Sequence, residues 1–167
     1  DKIVFLGNNN FKDNKMRKII VSEEAKFWKF ISSKKYINKE RLELDKRLIK
    51  NFYLNQGYYS VAVNEAFAQY TEKERFILTY SIDEGSKYYI NETKLILPDS
   101  YDKNNFSKIV QKLEKLKNKK YSLIKLSKII NELDKITLLK QYEFISASIN
   151  ENIVDNNKID ISLSIGE

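Results

Sequence analysis

The sequence predicts an α+β protein made of two copies of a β-α-α-β-β unit, each with a three-stranded sheet covered on one face by two helices. Strand-like and helix-like periodicities follow one another in the same order in both halves. The segment KNFYLNQGYYSVAVNEAF, residues 50–67, ends a helix at Gly57 and starts an alternating strand. Its counterpart is LLKQYEFISASI, residues 138–149. A unit of about 80 residues is long enough to form a two-layer core.

In the first half, the β-branched segment that starts at Ile3 and closes at Gly7 predicts a strand and a turn. Apolar residues at helical spacing then predict a short helix and a longer one, which Asn38 caps and Gly57 ends. Two alternating segments separated by YTEKER complete the unit and end at DEG, which contains Gly85. Gly7, Gly57 and Gly85 are therefore predicted turn residues.

The second half repeats this order. Tyr88 to Leu97 is predicted as a strand, an amphipathic helix follows, and Ser122 caps a second helix before the terminal hairpin. The predicted boundary lies near Ser86, which gives a first domain at residues 1–86 and a second at residues 87–167.

Composition excludes many kinds of active site. The 167 residues include no Cys and no His, so thiolate metal sites, disulfides and the commonest general base are absent. We expect no catalytic residues, no metal site and no cofactor. No apolar run approaches the length of about 18 residues that a membrane-spanning helix needs, and no signal peptide is visible. The abrupt start and end lead us to expect a piece of a longer protein.

The formal net charge of +7 and the abundance of Tyr and Phe leave open a basic RNA-binding α+β module. The charge is spread over both halves, which is more typical of a solvated surface. A filter-binding titration over salt would distinguish the two interpretations, because phosphate-driven binding weakens steeply as salt rises.

Two further clusters have simple interpretations. Asp45, Glu40 and Glu43 lie beside arginines on one predicted helix, and we interpret them as surface charges rather than as an acid-base pair. The FWKF run, Phe27 to Phe30, is interpreted as filling space between the helices and the sheet, with an exposed aromatic anchor as the alternative.

Three segments resemble the polypeptide-transport-associated (POTRA) family: IVFLGNNNF at residues 3–11, LDKRLIKNFYLNQGYYSVAV at 44–63 and YSIDEGSKYYI at 80–90. They are similar to the F-x-G-N-x-x-F, L-x-x-x-Y-x-x-x-G-Y and E-G-x-x-Y elements of these repeats. The first half resembles the third repeat of the POTRA array that serves outer-membrane protein assembly, and the second half corresponds by order to the fourth. The second half lacks the Gly-Asn turn and the helix-ending glycine.

The resemblance implies two tandem POTRA-like units, each with a three-stranded mixed sheet and two antiparallel helices. It also implies a non-catalytic scaffold in the periplasmic part of a Gram-negative outer-membrane protein. The implied partners are unfolded outer-membrane proteins, accessory assembly subunits and a C-terminal membrane β-barrel in the full-length protein; nucleic acid is not among them. A POTRA repeat of a two-partner secretion or cell-division protein remains an alternative.

The resemblance further implies that the middle strand of the first unit lies at a sheet edge. An edge strand can bind an extended partner segment by main-chain hydrogen bonds, and this one contains no Pro to block it. A merely solvated edge is the alternative. In this prediction Tyr59, Val61 and Val63 face the helices, and Ser60, Ala62 and Asn64 lie on the open face. The predicted partner-binding strand comprises Tyr59, Ser60, Val61, Ala62, Val63, Asn64, Glu65, Ala66 and Phe67.

Overall fold

The computed structural model describes residues 2–22, 39–70, 76–142 and 146–166. The predicted FWKF plug and the Asn38 cap lie outside these residues. The chain divides into two compact units at Ser86, except that Asn55–Gly57 group with the second unit.

The first unit contains β1 (Lys2–Leu6), α1 (Asp13–Arg17), α2 (Lys39–Asn55), β2 (Ala62–Tyr70) and β3 (Phe76–Asp83). Its sheet has the order β1-β3-β2. Strand β1 runs parallel to β3 and β2 runs antiparallel to it. The connection between β1 and β3 therefore carries the helices, as a parallel pair requires.

The second unit has the same architecture, with a 3₁₀ turn before its first helix. Its sheet has the order β4-β6-β5, again with one parallel and one antiparallel pair. The α+β prediction is thus confirmed as two three-stranded mixed sheets with helices. The elements are β4 (Tyr89–Ile96), the 3₁₀ turn (Lys103–Phe106), α3 (Ser107–Glu114), α4 (Leu123–Leu139), β5 (Ser146–Asp155) and β6 (Lys158–Gly166).

Each unit has its own hydrophobic core, formed where one face of the sheet meets the apolar side of its helices. The alternation of the central strands produces this face directly, since every second residue of a strand points to the same side. In the first unit the buried residues are Ile3, Phe5, Met16, Ile20, Ile49, Tyr53, Tyr58, Val61, Leu78, Tyr80 and Ile82. In the second they include Ile90, Phe106, Ile109, Leu113, Leu126, Ile129, Leu133, Ile159, Ile161, Leu163 and Ile165.

The long helix of each unit ends in the same way. After α2, the Tyr58 amide donates to the Tyr53 carbonyl at 3.0 Å, and Gly57 between them has a φ of 98°. This arrangement is a Schellman motif. After α4, the Tyr142 amide donates to the Thr137 carbonyl at 3.1 Å. The second unit therefore closes its helix without the glycine that the first unit uses.

Candidate functional site

The candidate site lies along β2, an outer strand of the first sheet. Among the described residues β2 pairs with β3 alone, so one side of its backbone is left without a strand partner. A strand in this position presents N–H and C=O groups that an added chain can pair with.

The observed strand begins later than the sequence predicted. Tyr59 and Ser60 lie in a turn, and Val61 precedes the strand, which runs from Ala62 to Tyr70. The reason is local: the Val61 amide donates to the Tyr58 carbonyl at 3.3 Å, so the chain is still turning after the helix end. The prediction that Tyr59, Ser60 and Val61 belong to the edge strand was therefore wrong.

A β-bulge interrupts β2 soon after it starts. Val63 lies opposite Ile82 and Glu65 lies opposite Ser81, which leaves Asn64 as the additional residue. Val63 packs against the core of the unit, as the alternation predicted, and Asn64 is exposed. Beyond the bulge the ladder continues without a further shift from Ala66 opposite Tyr80 to Tyr70 opposite Phe76.

An open groove of about 310 Å³ lies between α2 and the start of β2. One side is formed by α2 residues at spacings of three and four, which share a face of the helix. The other side is formed by Val61, Ala62 and Val63. The helix residues that line this groove are Glu43, Lys46, Arg47 and Lys50.

Asp45 is buried, with none of its surface exposed, so its interpretation as a surface charge was wrong. Its carboxylate accepts hydrogen bonds from the Val21 amide at 2.7 Å, the Tyr80 hydroxyl at 2.6 Å and the Ser22 hydroxyl. Burial raises the pKa of Tyr80, and the hydrogen bond to Asp45 raises it further. Asp45 therefore ties the chain after α1 to α2 and to the central strand.

A second buried carboxylate, Glu84, holds the other end of the first unit. It accepts from the Tyr53 hydroxyl at 2.8 Å, the Asn10 amide at 3.0 Å and the Asn10 side-chain nitrogen at 2.6 Å. Burial raises the pKa of the Tyr53 hydroxyl, and its hydrogen bond to Glu84 raises that pKa further. Glu84 was not predicted as a functional residue, although it is the glutamate of the E-G-x-x-Y element at residues 84–88.

Two glycines shape the turns around Glu84. Gly7 has a φ of 83° and Gly85 a φ of 61°, both in the region that disfavours side chains. A Cβ at Gly7 would lie 1.9 Å from the carbonyl oxygen of Ile82, and one at Gly85 would lie 2.3 Å from the Ser60 hydroxyl oxygen. Gly7 is therefore required for space as well as for backbone conformation, whereas the atom nearest Gly85 is a side-chain hydroxyl that can rotate.

In the part of the chain that the structure describes, no group of acidic residues is arranged to hold a metal ion. No helix in the same ranges is long and apolar enough to cross a membrane.

The repeated mixed sheet with an open antiparallel edge defines a class of protein, the tandem arrays of small α+β repeats. The family described as POTRA, surface antigen variable number repeat, matches residues 1–85. The chain belongs to the POTRA family.

The curated relatives include two proteins named outer membrane protein assembly factor BamA. The protein from Neorickettsia risticii is 27% identical over 94 residues, which cover 56% of this chain. The protein from Buchnera aphidicola is 25% identical over 170 residues, which cover 98% of this chain. The matches cover only 13% and 26% of these two relatives.

Solved structures support the same fold. BamA POTRA3-5 of Haemophilus influenzae matches 99% of this chain and 64% of its own, with a TM-score of 0.71 and 18% identity. BamA from Haemophilus ducreyi lacking POTRA domains 1-3 matches 100% of this chain and 29% of its own, with a TM-score of 0.67 and 15% identity. The resemblance to BamA POTRA repeats is confirmed, and the assignment to the third and fourth repeats stays a prediction.

Proposed function

We propose that this chain is a non-catalytic scaffold in the periplasmic part of a BamA-type outer-membrane protein. It binds accessory assembly subunits and unfolded outer-membrane proteins. It guides the unfolded outer-membrane proteins toward a membrane β-barrel that belongs to the same full-length protein. The observation that carries this proposal is the open edge of β2, together with the POTRA family and the names of the curated relatives.

The binding mode proposed is strand addition along β2. Main-chain hydrogen bonds give affinity for an extended segment without demanding a particular sequence, which suits a scaffold with many clients. The contacting segment is Ala62 to Tyr70, corrected from the sequence prediction. The bulge at Asn64 limits continuous pairing, so the straight ladder from Glu65 onward is the main pairing region.

Hydrogen exchange in the presence of a client provides the test. An outer-membrane porin is unfolded in urea, diluted into buffer with the chain, and amide exchange is followed by mass spectrometry. We expect added protection in β2 and none in β1, the other edge of the same sheet. Porin binding without protection in β2, or protection confined to β1, would contradict strand addition at this edge.

Proline substitutions provide a second readout, because Pro removes one backbone donor. Adjacent N–H groups of a strand point to opposite sides, so the neighbouring variants Ala68→Pro and Gln69→Pro, both in the straight ladder, are made and their folding is checked by circular dichroism. Ser148→Pro in β5, the edge strand of the second unit, is the control. We expect at least one folded β2 variant to bind porin more weakly than the control variant does.

We also propose that residues 1–86 and 87–167 are separately folded domains. Each has its own sheet and core. Limited proteolysis should yield at least one stable fragment that ends close to Ser86. A stable core that spans Ser86 and has lost both chain ends would show that this division is wrong.

A further inference from the structure

The groove between α2 and the start of β2 carries an excess of positive charge on its helix side. Its α2 side carries Lys46, Arg47 and Lys50 against one carboxylate, Glu43. Lys46 and Glu43 form an ion pair at 3.1 Å. Within the described ranges, Arg47 and Lys50 form no salt bridge with an acidic residue. Among the described residues, these two cations therefore border an open groove without an ion-pair partner.

We propose that this groove selects extended segments that carry carboxylates on the side turned toward α2. This inference rests on the proposed strand addition at β2 and specifies the chemistry of the segment that binds there. An added strand places every second side chain on the helix-covered face of the sheet. Where the added segment extends past the bulge toward the start of β2, those side chains would meet Arg47 and Lys50 on the helix and Val63 on the strand.

The apolar part of the groove adds a second requirement. Val61 is buried and offers little surface, so the available apolar surface comes from Val63, which packs against the core and is only partly buried. An occupant with only acidic residues on its inner face would leave this apolar surface without a matching contact. The segment that fits alternates and has both branched apolar and acidic residues on the same face.

The second unit supplies an internal comparison. Helices α2 and α4 each contain 17 residues, so they can be matched position by position. The match is supported by the core, since Ile49 corresponds to Leu133 and both are buried. On this alignment the four groove-lining positions of α2 correspond to Ser127, Ile130, Asn131 and Asp134 in α4. The three cations are absent there, so we assign the selectivity to the first unit only.

A pair of synthetic peptides tests the inference. Each peptide is capped and has about nine residues, within the usual range of strand lengths. Thr occupies one face of the extended peptide, and the other face carries Val, Glu, Glu and Val in that order. The second peptide has Gln in place of Glu. Fluorescence anisotropy is measured with the whole chain, and hydrogen exchange reports whether each peptide protects β2. We expect the Glu peptide to bind about three to ten times more tightly, as for two partly sheltered ion pairs.

The charge preference is then assigned with variants. Arg47→Gln combined with Lys50→Gln should make the two peptides bind equally while β2 protection by the Gln peptide remains. Lys128→Gln combined with Lys135→Gln removes the same charge from exposed positions of α4 and should leave the preference unchanged. Added salt should reduce the preference, since exposed ion pairs are screened.

The outcomes separate the two proposals. Equal binding of the two peptides to the parent chain, with β2 protected by both, overturns the charge selectivity and leaves strand addition standing. A preference that persists in the Arg47 and Lys50 variant also overturns the selectivity. If neither peptide binds, or if neither protects β2, strand addition and the selectivity built on it both fail.

Discussion

Gly57 and Gln141 occupy the same position beyond the ends of α2 and α4, and both have positive φ, 98° and 55° respectively. Each is followed by a tyrosine whose amide closes the helix. Both tyrosines also contact another aromatic ring. Tyr58 packs edge-on against Tyr53 at 5.5 Å between ring centroids, and Tyr142 stacks on Tyr101 at 4.1 Å. The motif is thus maintained by its hydrogen bond and aromatic contact even where glycine is missing.

Gln141→Gly should therefore stabilise the second unit. A non-glycine residue in the left-handed region costs about 1–2 kcal/mol, and part of the gain is offset by the greater chain entropy of glycine when unfolded. We expect a net gain of about 0.5–1 kcal/mol in the free energy of unfolding, measured by urea denaturation. Lys140→Gly, one residue earlier at a negative φ of −92°, is the control and should not stabilise. A Gln141→Gly variant less stable than the parent would contradict the prediction.

Asp45 should be a major stabilising residue of the first unit. Asp45→Asn keeps the size of the side chain but replaces the carboxylate with an amide, which has one acceptor oxygen instead of two. It therefore cannot accept all the hydrogen bonds that the Val21 amide, the Ser22 hydroxyl and the Tyr80 hydroxyl donate to Asp45. Hydrogen bonds to a charged group contribute about 1.5–3 kcal/mol, so we expect a loss of about 2 kcal/mol or more in urea denaturation. Glu43→Gln, an exposed change on the same helix, is the control, and an equal loss in both variants would show that the buried network is not the cause.

Tyr53 and Tyr80 predict a decline in stability at high pH. Both hydroxyls have their pKa raised by burial and by a carboxylate partner, so the folded state retains protons that the unfolded state releases. Their contribution is fully present below the pKa of a free tyrosine, about 10, and is lost as the pH rises above it. The urea midpoint measured from pH 8 to 11 should fall above about pH 10. Tyr53→Phe combined with Tyr80→Phe should reduce that slope, and an unchanged slope would contradict this origin.

The sequence predicted the fold well because its signals are local. Alternation and helical spacing identify strands and helices within a few residues, and the repeated order needed no long-range information. The role of Asp45 was missed because its partners Ser22 and Tyr80 are far from it in sequence and are brought together only by packing. A polar residue within an apolar stripe was the one available signal, since Asp45 shares a face with Ile49.

The candidate site was predicted in outline only. The alternation of residues 59–67 indicated a strand, but the helix-ending turn takes up Tyr59 and Ser60 before the strand can begin. The spacing of Glu43, Lys46, Arg47 and Lys50 shows from sequence that they share a helix face. That this face borders Val61 and Val63 depends on how the helix lies on the sheet, which no local pattern contains.

Gly7 and Gly85 should respond differently to the same substitution. Both have positive φ, so Ala at either position is strained by about 1–2 kcal/mol. At Gly7 the added Cβ meets the Ile82 carbonyl oxygen, a backbone atom of the central strand that cannot move without disturbing the sheet. At Gly85 it meets the Ser60 hydroxyl, which is exposed and can rotate away. We therefore expect Gly7→Ala to cost at least about 1 kcal/mol more than Gly85→Ala, as overpacking does in a rigid surrounding.

Urea denaturation of the two single variants measures this difference, and Ser60→Ala combined with Gly85→Ala separates its two causes. Ser60→Ala removes the hydroxyl and the collision but leaves the strain of positive φ at Gly85. If rotation of Ser60 already relieves the collision, the double variant should be little more stable than Gly85→Ala alone. A Gly85→Ala cost equal to or greater than that of Gly7→Ala would contradict the prediction that the close approach of Gly7 to Ile82 carries extra energy.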